Sequence, residues 1–302
     1  MSTTAFVFPG QGSQYVGMGK DLCEQLPEAR QWFDRADALL GFSLSKICFE
    51  GPEEELKQTK NTQPAIFLHS MVLANLYQGE RATMAAGHSL GEYSALVFAG
   101  ALTFEDGLRL VRLRGELMQQ AGIQQPGTMA AVVGLEPDVV DEICRNASSA
   151  GIVQAANFNS PGQIVVSGSI AGVRKAMEIA KERGAKLVKE LPVSGAFHSP
   201  LMEFARSGLK SALDKITIKN AAISVYGNVT ARPVQKAEEI RRLLCEQLTN
   251  PVRWEETVTN MATDGAGLFV EVGPGKVLQG LVKRIRSDVA TRGIEKLADL
   301  AH

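Results

Sequence analysis

Over the first 125 residues, short apolar runs alternate with stretches of helical period, the pattern of strands covered by helices. Residues 5–8 (Ala-Phe-Val-Phe) predict a buried strand. It empties into Pro9-Gly10-Gln11-Gly12-Ser13-Gln14, a run of turn formers at the strand's carboxyl end, where open α/β sheets bind ligands. Residues 61–78 predict a long apolar helix with Pro64 in its first turn. A short apolar stretch at 83–86 then leads into Gly87-His88-Ser89-Leu90-Gly91, and residues 92–99 predict a further helix.

The helix predicted over 104–121 carries Gly107, Leu110, Val111, Leu117, Met118 and Ala121 on one apolar stripe. Its other face offers Glu105 with Arg109 and Arg112 with Glu116, both at i, i+4. Arg114 falls on the apolar stripe. A guanidinium there either snorkels to the surface or serves a pocket as an anion receptor, since its fork matches a carboxylate. The pattern leaves both open.

Pro126-Gly127 reads as a boundary. Beyond it come a strand (128–134), a helix (137–150), two strands (152–157 and 163–167), a helix (171–183) and a strand (186–191). That βαββαβ order is the split βαβ or ferredoxin-like unit, an insert of roughly 65 residues, near the lower limit of domain size. The chain returns to the main layer through a helix (199–215), a strand (223–226), a helix (236–248), a strand (268–272) and a basic helix (276–286). The residues beyond 286 carry no assignment. The expected fold is therefore α/β: a hydrolase-like large subdomain with a mainly parallel sheet (1–125 and 193–302) and an inserted small ferredoxin-like subdomain (126–192).

Hydrophobic residues make up 45% of the 302 and charged residues 22%, ordinary for a globular protein. A net charge of −1 gives no reason to expect nucleic acid or a membrane surface as partner. No apolar run is long enough for a membrane span, and residues 3–8 are too short for a signal sequence. Cys23, Cys48, Cys144 and Cys245 are scattered, which argues against a zinc site and fits buried thiols in a reducing compartment. The expected location is the cytoplasm.

A serine between glycines at a strand-to-helix turn is a nucleophile elbow. The following helix aims backbone N–H groups at whatever forms on Ser89 Oγ, so the motif points to acyl transfer through an acyl-serine. The hydroxyl needs a base, normally a histidine, and the chain has four. His302 is terminal, His88 should leave the elbow on a different side from Ser89, and His69 is expected to be a partnered core histidine. His198, in Gly195-Ala196-Phe197-His198-Ser199, stands on the return from the insert and is the base by elimination. More than a hundred residues follow it, and no oxyanion-type His-Gly-Gly loop occurs, which weakens a plain lipase or esterase reading.

Seven segments together, in order, resemble the malonyl-CoA:acyl carrier protein transacylase family. They are residues 8–14, 87–92, 112–115, 157–163 (Asn-Phe-Asn-Ser-Pro-Gly-Gln), 195–199, 247–252 (Gln-Leu-Thr-Asn-Pro-Val) and 271–275 (Glu-Val-Gly-Pro-Gly). The resemblance implies Ser89 as nucleophile and His198 as base, with the backbone carbonyl of Gln247 orienting the imidazole. It implies an oxyanion hole from the N–H groups of Gln11 and Leu90, and Arg114 as the receptor of the malonyl carboxylate. Asn157, Asn159 and Gln163 would lie near the pantetheine path, with Met118 and Phe197 also at the substrate, although Phe197 is equally readable as core packing. No cofactor is expected to stay bound; CoA arrives with the substrate and phosphopantetheine with the carrier. Carriers are acidic, so Lys276, Lys283, Arg284 and Arg286 offer either a docking face or an ordinary solvated helix face. The chain is expected to act as a monomer. Two relatives of this reading stay open: a trans-acting acyltransferase of a polyketide synthase, and an acyl-thioester hydrolase. A non-catalytic carrier-binding module is disfavoured by intact Ser89, His198 and Arg114.

Overall fold

The computed structural model describes residues 3–300, so His302 lies outside the described residues. Strand β1 (Thr3–Phe8) is followed by four short helices, α1 (Lys20–Gln25), α2 (Pro27–Leu40), α3 (Leu44–Glu50) and α4 (Glu53–Leu56), for which no element was predicted. Then come α5 (Thr59–Leu76), β2 (Met84–Gly87), α6 (Gly91–Phe98) and α7 (Phe104–Gln124). The insert contributes β3 (Gly127–Val133), α8 (Pro137–Ala147), β4 (Val153–Ser160), β5 (Gln163–Ser169), α9 (Ile170–Glu182) and β6 (Leu187–Glu190). The return runs through α10 (Glu203–Leu213), β7 (Ser224–Tyr226), β8 (Pro233–Val234), α11 (Ala237–Glu246) and α12 (Trp254–Thr263). It ends with β9 (Ala266–Val272), α13 (Val277–Ile285) and β10 (Ala290–Ile294).

The larger sheet has the order β10-β9-β1-β2-β7-β8 and is parallel except for the β7–β8 edge. Strand β1 sits near its centre, and its side chains alternate between two cores. Phe6 and Phe8 join the cluster that holds Phe67 of α5, while Ala5 and Val7 pack with Tyr226, Trp254 and Phe269 on the other face. A strand buried on both faces has no polar positions, which is why residues 5–8 are continuously apolar.

The smaller sheet is antiparallel, in the order β4-β5-β3-β6, as the ferredoxin-like reading requires. Helices α8 and α9 cover one face around their own core. Residues of the sheet, Met129, Asn157, Asn159, Gln163 and Val165, wall a cleft shared with the larger layer. Backbone bonds between Ala156 or Phe158 on β4 and Val252 fasten the two layers.

Some expectations are corrected. The residues after 286 form β10, parallel to β9 at the sheet edge. The helix predicted over 199–215 begins with a 3₁₀ turn, Pro200–Met202, before α10. Glu105 pairs with Arg35 of α2 rather than with Arg109, whereas Arg112 and Glu116 do pair, at 2.6 Å. All four cysteines are free and buried. Among the described residues no helix is long and apolar enough to cross a membrane, and no His, Cys, Asp and Glu cluster is placed to hold a metal.

Candidate active site

The register of β1 against β2 puts Phe8 opposite Gly87, so both strands end level. The loop from Pro9 and the elbow at Ser89 then lie side by side at the carboxyl edge of the sheet. Contact is closer than any side chain allows: a Cβ on Gly91 would overlap the Phe8 carbonyl, and one on Gly87 would overlap the Gly91 backbone. Ser89 itself takes φ 51°, the left-handed conformation that a non-glycine residue adopts only when its surroundings impose it. His198 does the same at φ 57°.

Ser89 Oγ lies 2.8 Å from His198 Nε2. On the far side of the ring, Nδ1 is 2.9 Å from the backbone carbonyl of Gln247. A carbonyl only accepts, so Nδ1 carries the proton and Nε2 presents its lone pair to the serine hydroxyl. Gln247 caps the end of α11, where the last-turn carbonyls of a helix have no partner inside it. One such carbonyl thus occupies the place that a carboxylate takes beside the histidine of a triad. Gln154 Nε2 donates to the His198 carbonyl at 2.8 Å and to that of Thr249 at 3.3 Å, holding the histidine loop from the small sheet.

Arg114 is fully buried, so its guanidinium does not snorkel. Nη1 donates to Gln63 Oε1 at 2.9 Å; Nη2 donates to Gln247 Oε1 at 2.9 Å and to Ser89 Oγ at 3.0 Å. No carboxylate of the described residues forms an ion pair with it, and its Nε has no partner. Burial lowers its affinity for its proton, but an arginine stays charged. Among the described residues it is the one arginine or lysine lining a cavity of about 240 Å³ that opens beside Ser89. Burial first, and the charge of Arg114 second, push the His198 pKa down to about 3, against the bond to Gln247. The imidazole is therefore neutral across the physiological range.

The same cavity is lined by Gln11, Leu90, Met118, Asn157, Asn159, Gln163 and Phe197, so every residue expected at the substrate borders it. Met118 Sδ accepts from Gln63 Nε2 at 3.2 Å, and Gln163 Oε1 accepts from Arg284 Nη1 at 2.5 Å. The N–H groups of Gln11 and Leu90 donate to no acceptor among the described residues. His88 lines the cavity too, contrary to expectation, but its Nε2 is engaged with Asn159 Oδ1 at 2.9 Å rather than with the serine. His69 is a second correction: it is buried with neither ring nitrogen partnered, and burial pushes its pKa down to about 4. At the ends of α13, the C-cap Arg286 is tied to Asp288 and the N-cap Lys276 is exposed; Lys276 and Lys283, which is exposed in the helix's last turn, form no ion pair among the described residues.

Four residues around the site were not singled out as site residues from the sequence. Asn228, just past β7, accepts from Ser89 N at 2.7 Å through Oδ1 and donates Nδ2 to the Gly87 carbonyl at 2.7 Å. Gln63 and Gln154 touch Arg114 and the histidine loop, respectively. Glu92 is buried in α6 and accepts from Gln247 Nε2 at 2.7 Å and from Asn228 N at 3.1 Å. Burial pushes its pKa up to about 7, against these bonds and the nearby Arg114. One signal was available for Asn228, since it follows the carboxyl end of a strand of the parallel sheet.

A model of the acyl transferase domain family matches residues 5–296. A malonyl CoA-acyl carrier protein transacylase of Bacillus subtilis is 47% identical over 294 residues, 96% of this chain and 93% of that protein. One of Haemophilus influenzae is 44% identical over 302 residues, covering 99% and 97%. A solved acyl carrier protein S-malonyltransferase of Vibrio cholerae superposes with a TM-score of 0.95 at 42% identity, covering 99% of each chain. A malonyl-transacylase solved in complex with its type II polyketide synthase acyl-carrier protein gives 0.96 at 42% identity, covering 99% and 98%.

Proposed function

The chain belongs to the acyl transferase domain family, and from that premise we propose that it moves malonyl from malonyl-CoA to the phosphopantetheine thiol of an acyl carrier protein, feeding fatty acid synthesis. The observation that carries the malonyl reading is Arg114, a buried guanidinium without a carboxylate partner, 3.0 Å from the nucleophile. A carboxylated acyl group supplies the missing anion.

In the proposed cycle the malonyl carboxylate pairs with Arg114 and brings its thioester carbon to Ser89. Neutralising Arg114 also removes the charge that helps hold the His198 pKa down, so substrate binding strengthens the base. Ser89 Oγ attacks the carbonyl as its proton passes to His198 Nε2. The N–H groups of Gln11 and Leu90 receive the oxyanion. The C–S bond breaks, the proton passes from His198 to the departing CoA sulfur, and malonyl-Ser89 remains. The carrier thiol then gives its proton to His198 and attacks the ester; the tetrahedral adduct collapses and Ser89 recovers its proton. No bound cofactor enters this cycle.

We further propose that residues 126–192 form one wall of the cleft against 1–125 and 193–302, with Asn157, Asn159, Gln163, Met118 and Phe197 along the acyl and pantetheine path. Lys276, Lys283 and Arg284 would form the docking face for the acidic carrier. The test is CoA release from malonyl-CoA with no acceptor, with holo-carrier of the fatty acid type, and with holo-carrier of the polyketide type. The proposal expects fast release with the first carrier and slow release in water. Release unaffected by any carrier would make the protein a hydrolase; preference for the polyketide carrier would reassign the pathway.

A further inference from the structure

Glu92 stands outside every role assigned above, yet it anchors the group on which three of those roles converge. Gln247 bonds to His198 through its backbone carbonyl and to Arg114 through Oε1; through Nε2 it bonds to the Ser89 carbonyl at 2.9 Å and to Glu92. An amide can turn its oxygen and nitrogen either way unless its partners decide the matter. Glu92 Oε2 accepts from Gln247 Nε2 and, together with the Ser89 carbonyl and the Arg114 donor, holds the NH₂ towards α6 and Oε1 towards the guanidinium. The same oxygen accepts from the backbone N–H of Asn228, whose side chain clamps the Gly87 carbonyl and the Ser89 N–H, the backbone groups that flank His88 just before the nucleophile.

We propose that Glu92 is a positioning residue of the acyl transfer: as a hydrogen-bond acceptor it sets Gln247 and Asn228, and through them the base, the carboxylate receptor and the elbow. The inference rests on the proposed transfer reaction. What Glu92 supplies is an acceptor atom at a fixed place rather than a charge. Its carboxyl titrates near neutrality and keeps Oε2 as an acceptor whether or not the acid is ionised. The charged and titratable groups around it are Arg114 of α7 and Tyr93 of its own helix, with His198 reached through Gln247.

Two variants separate the acceptor from the charge. Glu92→Gln keeps an oxygen at the place of Oε2 and removes the charge; both neighbours there are donors, so the new amide turns its oxygen to them. Glu92→Asp keeps the charge and withdraws the acceptor by about 1.5 Å, one C–C bond. With wild type transferring malonyl to holo-carrier as the control, E92Q is expected to keep kcat within about threefold, for malonyl-CoA and acetyl-CoA alike. E92D is expected to lose about tenfold or more in kcat for both, because misplacing a catalytic group by about 1 Å can cost a hundredfold. Melting curves of both variants separate loss of fold from loss of rate. A folded E92D with wild-type kcat, or an E92Q more damaged than E92D, overturns the inference. Failure of wild type itself to transfer malonyl would instead strike the underlying reaction.

Discussion

Replacing Arg114 by alanine separates the two things this guanidinium does. In the proposed cycle it offers a desolvated cation to an incoming carboxylate, and Nη2 also donates to Ser89 Oγ at 3.0 Å. No other arginine or lysine lines the cavity among the described residues, so in Arg114→Ala a malonyl carboxylate enters with no cation to meet it. Breaking a buried ion pair from one side costs about 3–5 kcal/mol. That is about two to three and a half decades in kcat/KM for malonyl-CoA. Acetyl-CoA brings no carboxylate and loses only what both substrates lose, the bonds of Arg114 to Ser89 Oγ, Gln63 and Gln247. That loss is common to both acyl-CoAs and cancels from the ratio of malonyl to acetyl transfer to holo-carrier, which should therefore fall by about two to three and a half decades. The pH profile gives a second, independent reading. The charge of Arg114 helps hold the His198 pKa low, and the base works when neutral, above that pKa. Removing the charge raises it, so the acid limb of acetyl transfer should move to higher pH. Equal losses with both acyl-CoAs and an unmoved acid limb would remove Arg114 from substrate recognition.

His69 predicts a pH dependence of stability. Its folded pKa near 4 lies below the ordinary value of 6.5, so the unfolded chain binds the extra proton between these values, and stability falls as pH drops through that window. Relative to His69→Leu, wild type should lose ~2 kcal/mol between pH 7.5 and 5 in denaturant titrations; a pH-independent difference would contradict the buried neutral imidazole. On α13, Lys283→Glu should raise the KM for holo-carrier, an effect that salt weakens, while acylation by malonyl-CoA stays unchanged. An unchanged carrier KM would move the docking face elsewhere.

The pairing of Ser89 with His198 was legible because few residues could fill those two places. One serine stands in a glycine-framed turn, and among four histidines only His198 sits on a loop returning to the strand ends. Arg114 was conspicuous as a charge on an apolar stripe. Glu92 carried the same kind of signal, a charge among the apolar residues of the helix predicted over 92–99, but in the first turn of a helix an acidic residue is ordinary and did not stand out. Asn228 lies 139 residues from Ser89, and only the β2–β7 pairing brings them together. Strand β10 was missed because an edge strand is covered less completely: of Ala290–Ile294 only Ile294 is buried, so no apolar run marks it. The partner of Glu105 was misread because the helical i, i+4 rule is local, and Arg35 on a neighbouring helix offered the nearer cation.

The central claim is a malonyl ester on Ser89 that a carrier thiol discharges. The most direct measurement mixes the protein with malonyl-CoA in the absence of carrier, quenches in acid, and maps the peptides by mass. The account predicts one malonyl group per chain on the peptide containing Ser89, a matching burst of free CoA, and loss of the adduct when holo-carrier is added before the quench. An unmodified Ser89 in wild type, or an adduct that holo-carrier leaves in place, would contradict it.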